Sequence, residues 1–128
     1  MTAPVKVFPA PGDPNIGTVA TIANGASLSG ALDLGSMRLA GVLMPAAWTA
    51  AGLTFQASYD NVTYFNVFGD AAEYAVASAA ASVNNFVAVD RTKFASVRFI
   101  KVRSGTSGTP VNQGAQRLLP LVLLPSAP

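Results

Sequence analysis

The chain has 128 residues, enough for one domain that buries roughly two-thirds of the surface its unfolded form exposes. It contains no Cys and no His, which excludes disulfides and thiol chemistry and removes the usual general base and the commonest transition-metal ligand. Only 11% of its residues are charged against a typical value of about 25%, 51% are hydrophobic, and the formal net charge of +2 is too small to argue for nucleic acid by itself.

The N-terminal stretch Met1 to Asn15 reads as an extended arm, because Pro4, Pro9, Pro11 and Pro14 exclude a regular helix; the folded domain is expected over residues 16–128. The arm has no apolar core of the kind a secretory signal carries, so synthesis in a cytosol is expected. Gly17 to Ala23 is a plausible first strand, and Asn24-Gly25 turns the chain into Ser27 to Leu34. Gly35-Ser36 breaks the chain before Met37 to Met44. Strict alternation there puts Met37, Leu39, Gly41 and Leu43 on one side and Arg38, Ala40, Val42 and Met44 on the other, nearly apolar on both, as for a strand inside a sandwich. Pro45 to Gly52 is a connection.

Leu53 to Ser58 alternates cleanly, Tyr59-Asp60-Asn61 punctuates it, and Val62 to Phe68 returns as the second strand of a hairpin. Asp60 and Asn61 suit that turn because both hydrogen-bond their own backbone and tolerate left-handed conformations. Glu73 to Ala79 is read as strand, although its alanines favour helix. Asn84-Asn85 turns into Phe86 to Val89, and Asp90 to Phe94 forms a turn or short helical loop. Ser96 to Arg103 is the clearest late strand, followed by a Gly/Ser/Thr-rich loop from Ser104 to Gln113. Gln116 to Leu124 closes the domain, with Pro120 expected on an edge strand because it cannot donate to a ladder. About eight short strands without a long helix predict an all-β fold, an antiparallel β-sandwich of jelly-roll type with an extended N-terminal arm. The longest apolar run, near Leu118 to Leu124, falls far short of the ~20 residues that cross a bilayer, so no membrane partner is expected.

No constellation of reactive groups emerges. The six acids are scattered; Asp70 and Glu73 are the nearest to a carboxylate pair, and Asp60, Asn61 and Asp70 to a calcium loop. Neither cluster is dense, so no catalytic residue, cofactor or metal is expected and the protein is read as a non-enzyme. Arg91, Lys93, Arg98, Lys101 and Arg103 crowd one stretch, but alternation would send Arg98 to the face opposite Lys101 and Arg103. A solvated strand edge or pairing between subunits accounts for these charges better than nucleic acid does. Trp48, Tyr59 and Tyr64 could form a sugar-stacking platform, against core packing of Trp48 and cross-strand pairing of Tyr64. A compact chain of 13.1 kDa exposes roughly 6,400 Å². Its 14 charges then leave on the order of 450 Å² each, near the size of patch that marks an interaction site, and part of the surface is expected to be covered by other subunits.

Two segments, PAAWTAAGLTFQASYDNVTYFNVF and FASVRFIKVRSGTSGTPVNQ, carry a resemblance. With their Trp-containing turn, Leu-Thr-Phe-Gln-x-Ser strand, Asp-centred hairpin and late Arg-Phe-Ile-Lys-Val-Arg-Ser strand, the chain resembles small bacteriophage virion proteins built on a discoidin or galactose-binding-like jelly roll. The likeness covers about Gly30 to Leu124; Asn61 stands where such hairpins usually have Gly. It implies a structural role in the virion, as a capsid-surface decoration or head-fibre component contacting other virion proteins, the major capsid protein among them, and further copies of itself. The arm residues Pro4, Val5, Val7, Phe8 and Pro9 would make such contacts. The alternative it implies is a carbohydrate-binding module for host attachment, with Trp48, Tyr59 and Tyr64 on the glycan.

Overall fold

The computed structural model describes Thr18 to Pro125. The expected arm, with Pro4, Val5, Val7, Phe8 and Pro9, lies outside these residues. The described chain forms eight strands, β1 (Thr18–Ile22), β2 (Leu32–Asp33), β3 (Met37–Leu43), β4 (Leu53–Ser58), β5 (Phe65–Asn66), β6 (Phe86–Ala88), β7 (Phe99–Ser104) and β8 (Arg117–Pro125), and one 3₁₀ turn at Arg91–Phe94. They make two antiparallel four-stranded sheets, ordered β1-β8-β3-β6 and β2-β7-β4-β5. The all-β sandwich expected from the alternating runs is the fold. Its strands nest as antiparallel pairs, β1 with β8, β2 with β7, β3 with β6 and β4 with β5, as when one long hairpin is rolled up.

Apolar alternation places the core between the sheets. Ala20, Ile22, Leu39, Val42, Leu119 and Leu121 come from one sheet and Leu53, Phe55, Ile100 and Val102 from the other, and all are sealed from water. The ring of Phe94 meets Phe55 and Tyr74 edge-on at centroid distances of 5.1 and 5.5 Å, a favoured aromatic geometry. The Tyr74 hydroxyl accepts from Asp90 N at 3.0 Å, and the Asp90 carboxylate caps the 3₁₀ turn through Thr92 N.

Four expectations change. In β3 the register against β8 shifts between Leu39 and Gly41, a bulge that takes Ala40 out of step. The phase therefore reverses: Leu39 and Val42, three residues apart, both point inward, while Gly41 and Leu43 point out. Pro120 is not on an edge, because β8 lies between β1 and β3. It is tolerated because it pairs with Val19 of β1 one residue beyond Leu121, where the β3 ladder stops. Glu73 to Ala79 is not a strand. It makes single bridges, Phe68 to Glu73 and Leu53 to Val76, and then turns at Ala77 to Ala80, since only Tyr74 and Val76 offer apolar anchors. The second hairpin strand shrinks to Phe65–Asn66, because Ser58 to Thr63 is consumed by a loop wound around Asp60.

Candidate functional site

The two sheets present outer faces of opposite character. On β2-β7-β4-β5, outward residues are polar: Thr54 opposite Arg103, Gln56 opposite Lys101, and Asp33 beside Phe99. Arg103 is covered by the segments around Glu73 and Ser107, and its ion pair with Glu73 (3.1 Å) leaves the side chains 8% and 12% exposed. Such a pair survives burial only when the remaining hydrogen-bonding groups are satisfied. Here Arg103 also donates to Thr54 Oγ1 at 3.2 Å and Asn66 Oδ1 at 2.8 Å, while Glu73 Oε1 accepts from Ser107 N and Oγ at 3.1 and 3.0 Å. Arg103 therefore pairs within the chain, on an interior strand. Arg98 precedes β7, so strand alternation does not govern it. It lies exposed over the Phe99 ring at 4.8 Å and pairs with Asp33 at 2.9 Å, which holds the Asp33 carboxyl below the usual carboxylate range. Lys101 sits 4.4 Å over the Tyr64 ring.

The outer face of β1-β8-β3-β6 is the reverse. β8 reads Arg-Leu-Leu-Pro-Leu-Val-Leu-Leu-Pro, apolar on both sides after its first residue. With Leu119, Leu121 and Leu123 directed into the core, Leu118, Pro120, Val122 and Leu124 are left to face out. The pairing register puts Val19 beside Pro120, Thr21 beside Leu118, Gly41 and Ala88 in line with Val122, and Leu43 beside Phe86. Phe86 lies over Gly41, where an added Cβ would come within 2.9 Å of its ring, and remains 63% exposed; Leu118 is 50% exposed. Arg38, opposite Leu124, is the one charge on this face among the described residues, and its guanidinium is bonded to the Ala95 and Met37 carbonyls. No described strand packs on it. An antiparallel sheet normally alternates apolar in and polar out, whereas here the outward positions of β8 are apolar as well.

A second feature lies at the β4–β5 end. Tyr59, 81% exposed, and Phe65 and Phe68, each 59% exposed, surround an open groove of about 290 Å³ with Val67 and Val97 buried beneath and Ser58, Asn66 and Ser96 on its walls. The adjoining loop is set by Asp60. Its Oδ1 accepts from Val62 N and Thr63 N at 2.9 and 3.0 Å and from Ser58 Oγ, bonds that keep its pKa below the usual carboxylate range. Asn61 takes the left-handed conformation the turn needs, φ 61°.

The aromatic trio singled out from sequence does not converge. Trp48 precedes β4 and Tyr59 follows it, so six extended residues, about 20 Å, separate them. Trp48 is half-buried against the core, with Nε1 donating to Ala51 O at 3.1 Å. Its neighbour Thr49 is tied to Gln113, a buried amide that uses both donors and both lone pairs on Thr49, Ser104 and Arg117. Tyr64 bonds Asn61 Oδ1 and shields Lys101 on the polar face, where partial burial pushes its phenol pKa up. Tyr59 alone of the three reaches the groove, with Phe65 and Phe68, which exposure in a shortened hairpin reveals and alternation did not.

Among the described residues no three acidic side chains gather as a metal site, and no helix is long and apolar enough to cross a membrane. Searches against family models, curated proteins and solved structures find no match for this chain. The fold and surface define an all-β sandwich with one polar, internally paired outer face and one nearly uncharged face.

Proposed function

We propose that this chain is a non-enzymatic structural protein of a bacteriophage particle, a capsid-surface decoration or head-fibre component that works by subunit contacts. The outer face of β1-β8-β3-β6 carries the reading. Apolar area removed from water is worth about 25 cal/mol per Å², so a face with Leu118, Pro120, Val122, Leu124 and Phe86 but one tethered charge gains most by being covered. The polar face needs no partner, because Arg103, Glu73, Asp33 and Arg98 pair within the chain. Nested strand pairing supports the jelly-roll form of the sandwich, and the particle is the setting that the sequence resemblance supplies.

Proteomic quantification and imaging of purified particles test this. Multiple ordered copies per particle are expected, and deleting Met1 to Pro14 is expected to leave the sandwich folded while lowering incorporation. A folded protein absent from purified particles would refute the proposal. The groove favours a second reading, a carbohydrate-binding module, since aromatic faces stack on sugar C–H surfaces. On that reading Tyr59→Ala and Phe65→Ala each weaken glycan binding by at least ~1 kcal/mol, measured on an array and by calorimetry.

A further inference from the structure

We infer that the outer face of β1-β8-β3-β6 is closed by the same face of a second copy of this chain, sheet stacked on sheet about a two-fold axis near Val122. The inference rests on the assembly reading above and names its surface and partner. Four strands of 5, 9, 7 and 3 residues, spaced about 4.8 Å apart with ~3.3 Å per residue, give a face of roughly 19 by 20 Å. Two such faces total about 760 Å² in projection, and side-chain corrugation brings the buried area to roughly 1,000 Å², the low end for a specific contact.

The relief suits stacking. Ala88 and Pro120 keep the surface low beside Val122, the Phe86 ring fills the space over Gly41, and sheets pack face to face at about 10 Å when their inner residues are apolar. The charge pattern selects the partner. With Arg38 tied to Ala95 O and Met37 O, the face offers nothing to an acidic or basic surface, and two copies meet there without like-charge repulsion. A lipid surface calls for free Lys or Arg flanking the apolar residues, and the two basic residues of these strands, Arg38 and Arg117, are both held by hydrogen bonds within the chain. A single extended segment of any origin covers one strand spacing out of four.

Sedimentation velocity on the full chain tests this from about 1 to 100 µM. The wild type is expected at twice the 13.1 kDa chain mass. Leu118→Glu and Val122→Lys each enter a two-fold interface twice and are expected to weaken the dimer at least ~100-fold. Phe65→Ser, in the groove, should leave it unchanged. Leu118 is half exposed, so Leu118→Glu keeps the test open even if Val122→Lys does not fold, and far-ultraviolet circular dichroism checks both.

A wild type that stays monomeric at 100 µM overturns the inference, as does a dimer indifferent to Leu118→Glu. So does a monomer that dimerises only once Met1 to Gly17 is deleted, or one that binds phosphatidylcholine vesicles. A monomer found in purified particles overturns the face-to-face dimer but leaves the structural role standing; a dimer absent from particles does the opposite.

Discussion

Glu73→Ala isolates the energetics of the polar face. Removing the carboxylate strands Arg103, whose side chain is only 8% exposed, and takes the acceptor from Ser107 N and Oγ. Breaking a buried ion pair by deleting one partner costs ~3 to 5 kcal/mol. The lower end applies, because Arg103 keeps its bonds to Thr54 Oγ1 and Asn66 Oδ1. An unfolding entropy of about 2.1 cal/mol/K per residue gives roughly 0.27 kcal/mol/K for a chain of 128 residues, so about 3 kcal/mol lowers Tm by about 11 °C. Thermal unfolding followed by circular dichroism reads this directly. Glu73→Gln keeps the oxygen acceptor and loses the charge, and is expected to fall between wild type and Glu73→Ala. Replacing both partners, Glu73→Leu with Arg103→Met, should recover much of the loss, since the cost lies in the stranded charge. The exposed pair supplies the control: Asp33→Ala should move Tm by no more than about 2 °C. A fall of less than ~3 °C for Glu73→Ala would refute the assignment of Arg103 and Glu73 as a desolvated, mutually dependent pair.

Gly52→Ala is expected to cost about 2 kcal/mol or more in urea unfolding, because its Cβ would lie 2.3 Å from Val76 O and force apart the Leu53–Val76 bridge; Gly30→Ala, with open space around it, should be close to neutral. Trp48→Ala should destabilise the fold by about 2 to 4 kcal/mol while leaving any glycan affinity unchanged, since the indole packs on the core at the end of β4 opposite Tyr59. Asp33, Asp60 and Asp90 all have folded pKa values below the unfolded one, through Arg98, the Thr63 and Val62 amides, and Thr92 respectively. Their stabilisation is fully present above the unfolded value of about 3.9 and is lost as pH falls through the folded values. Denaturation midpoints should therefore drop below about pH 4, and Asp60→Ala should flatten that drop; an unchanged acid slope in that variant would count against the Asp60 loop geometry.

Local stereochemistry is written in the chain itself. The alternation of Leu53 to Ser58, the Asn24-Gly25 and Asp60-Asn61 turns and the Asp90 cap are each decided by neighbours a few residues away, and the strands and turns lie where those residues put them. The scarcity of charge was also legible, and it is the sequence feature behind the proposed assembly surface. Which surface was legible only in part: β8 reads as apolar on both sides, but that pattern suits a strand buried within one chain as well as one awaiting a partner. Pairing over long separations decided the rest. Ladders between β8 and both β1 and β3 made β8 an interior strand despite Pro120, and the bulge at Ala40 reversed the phase of β3, an event that alternation cannot register because it counts residues and not hydrogen bonds. Glu73 and Arg103, thirty residues apart, meet because the Leu53–Val76 bridge and the β4–β7 ladder carry them to one place, while Trp48 and Tyr59, only eleven apart, are held at opposite ends of β4. Side-chain chemistry and period are properties of the chain, but proximity between distant segments exists only once backbone hydrogen bonds have closed the sheets.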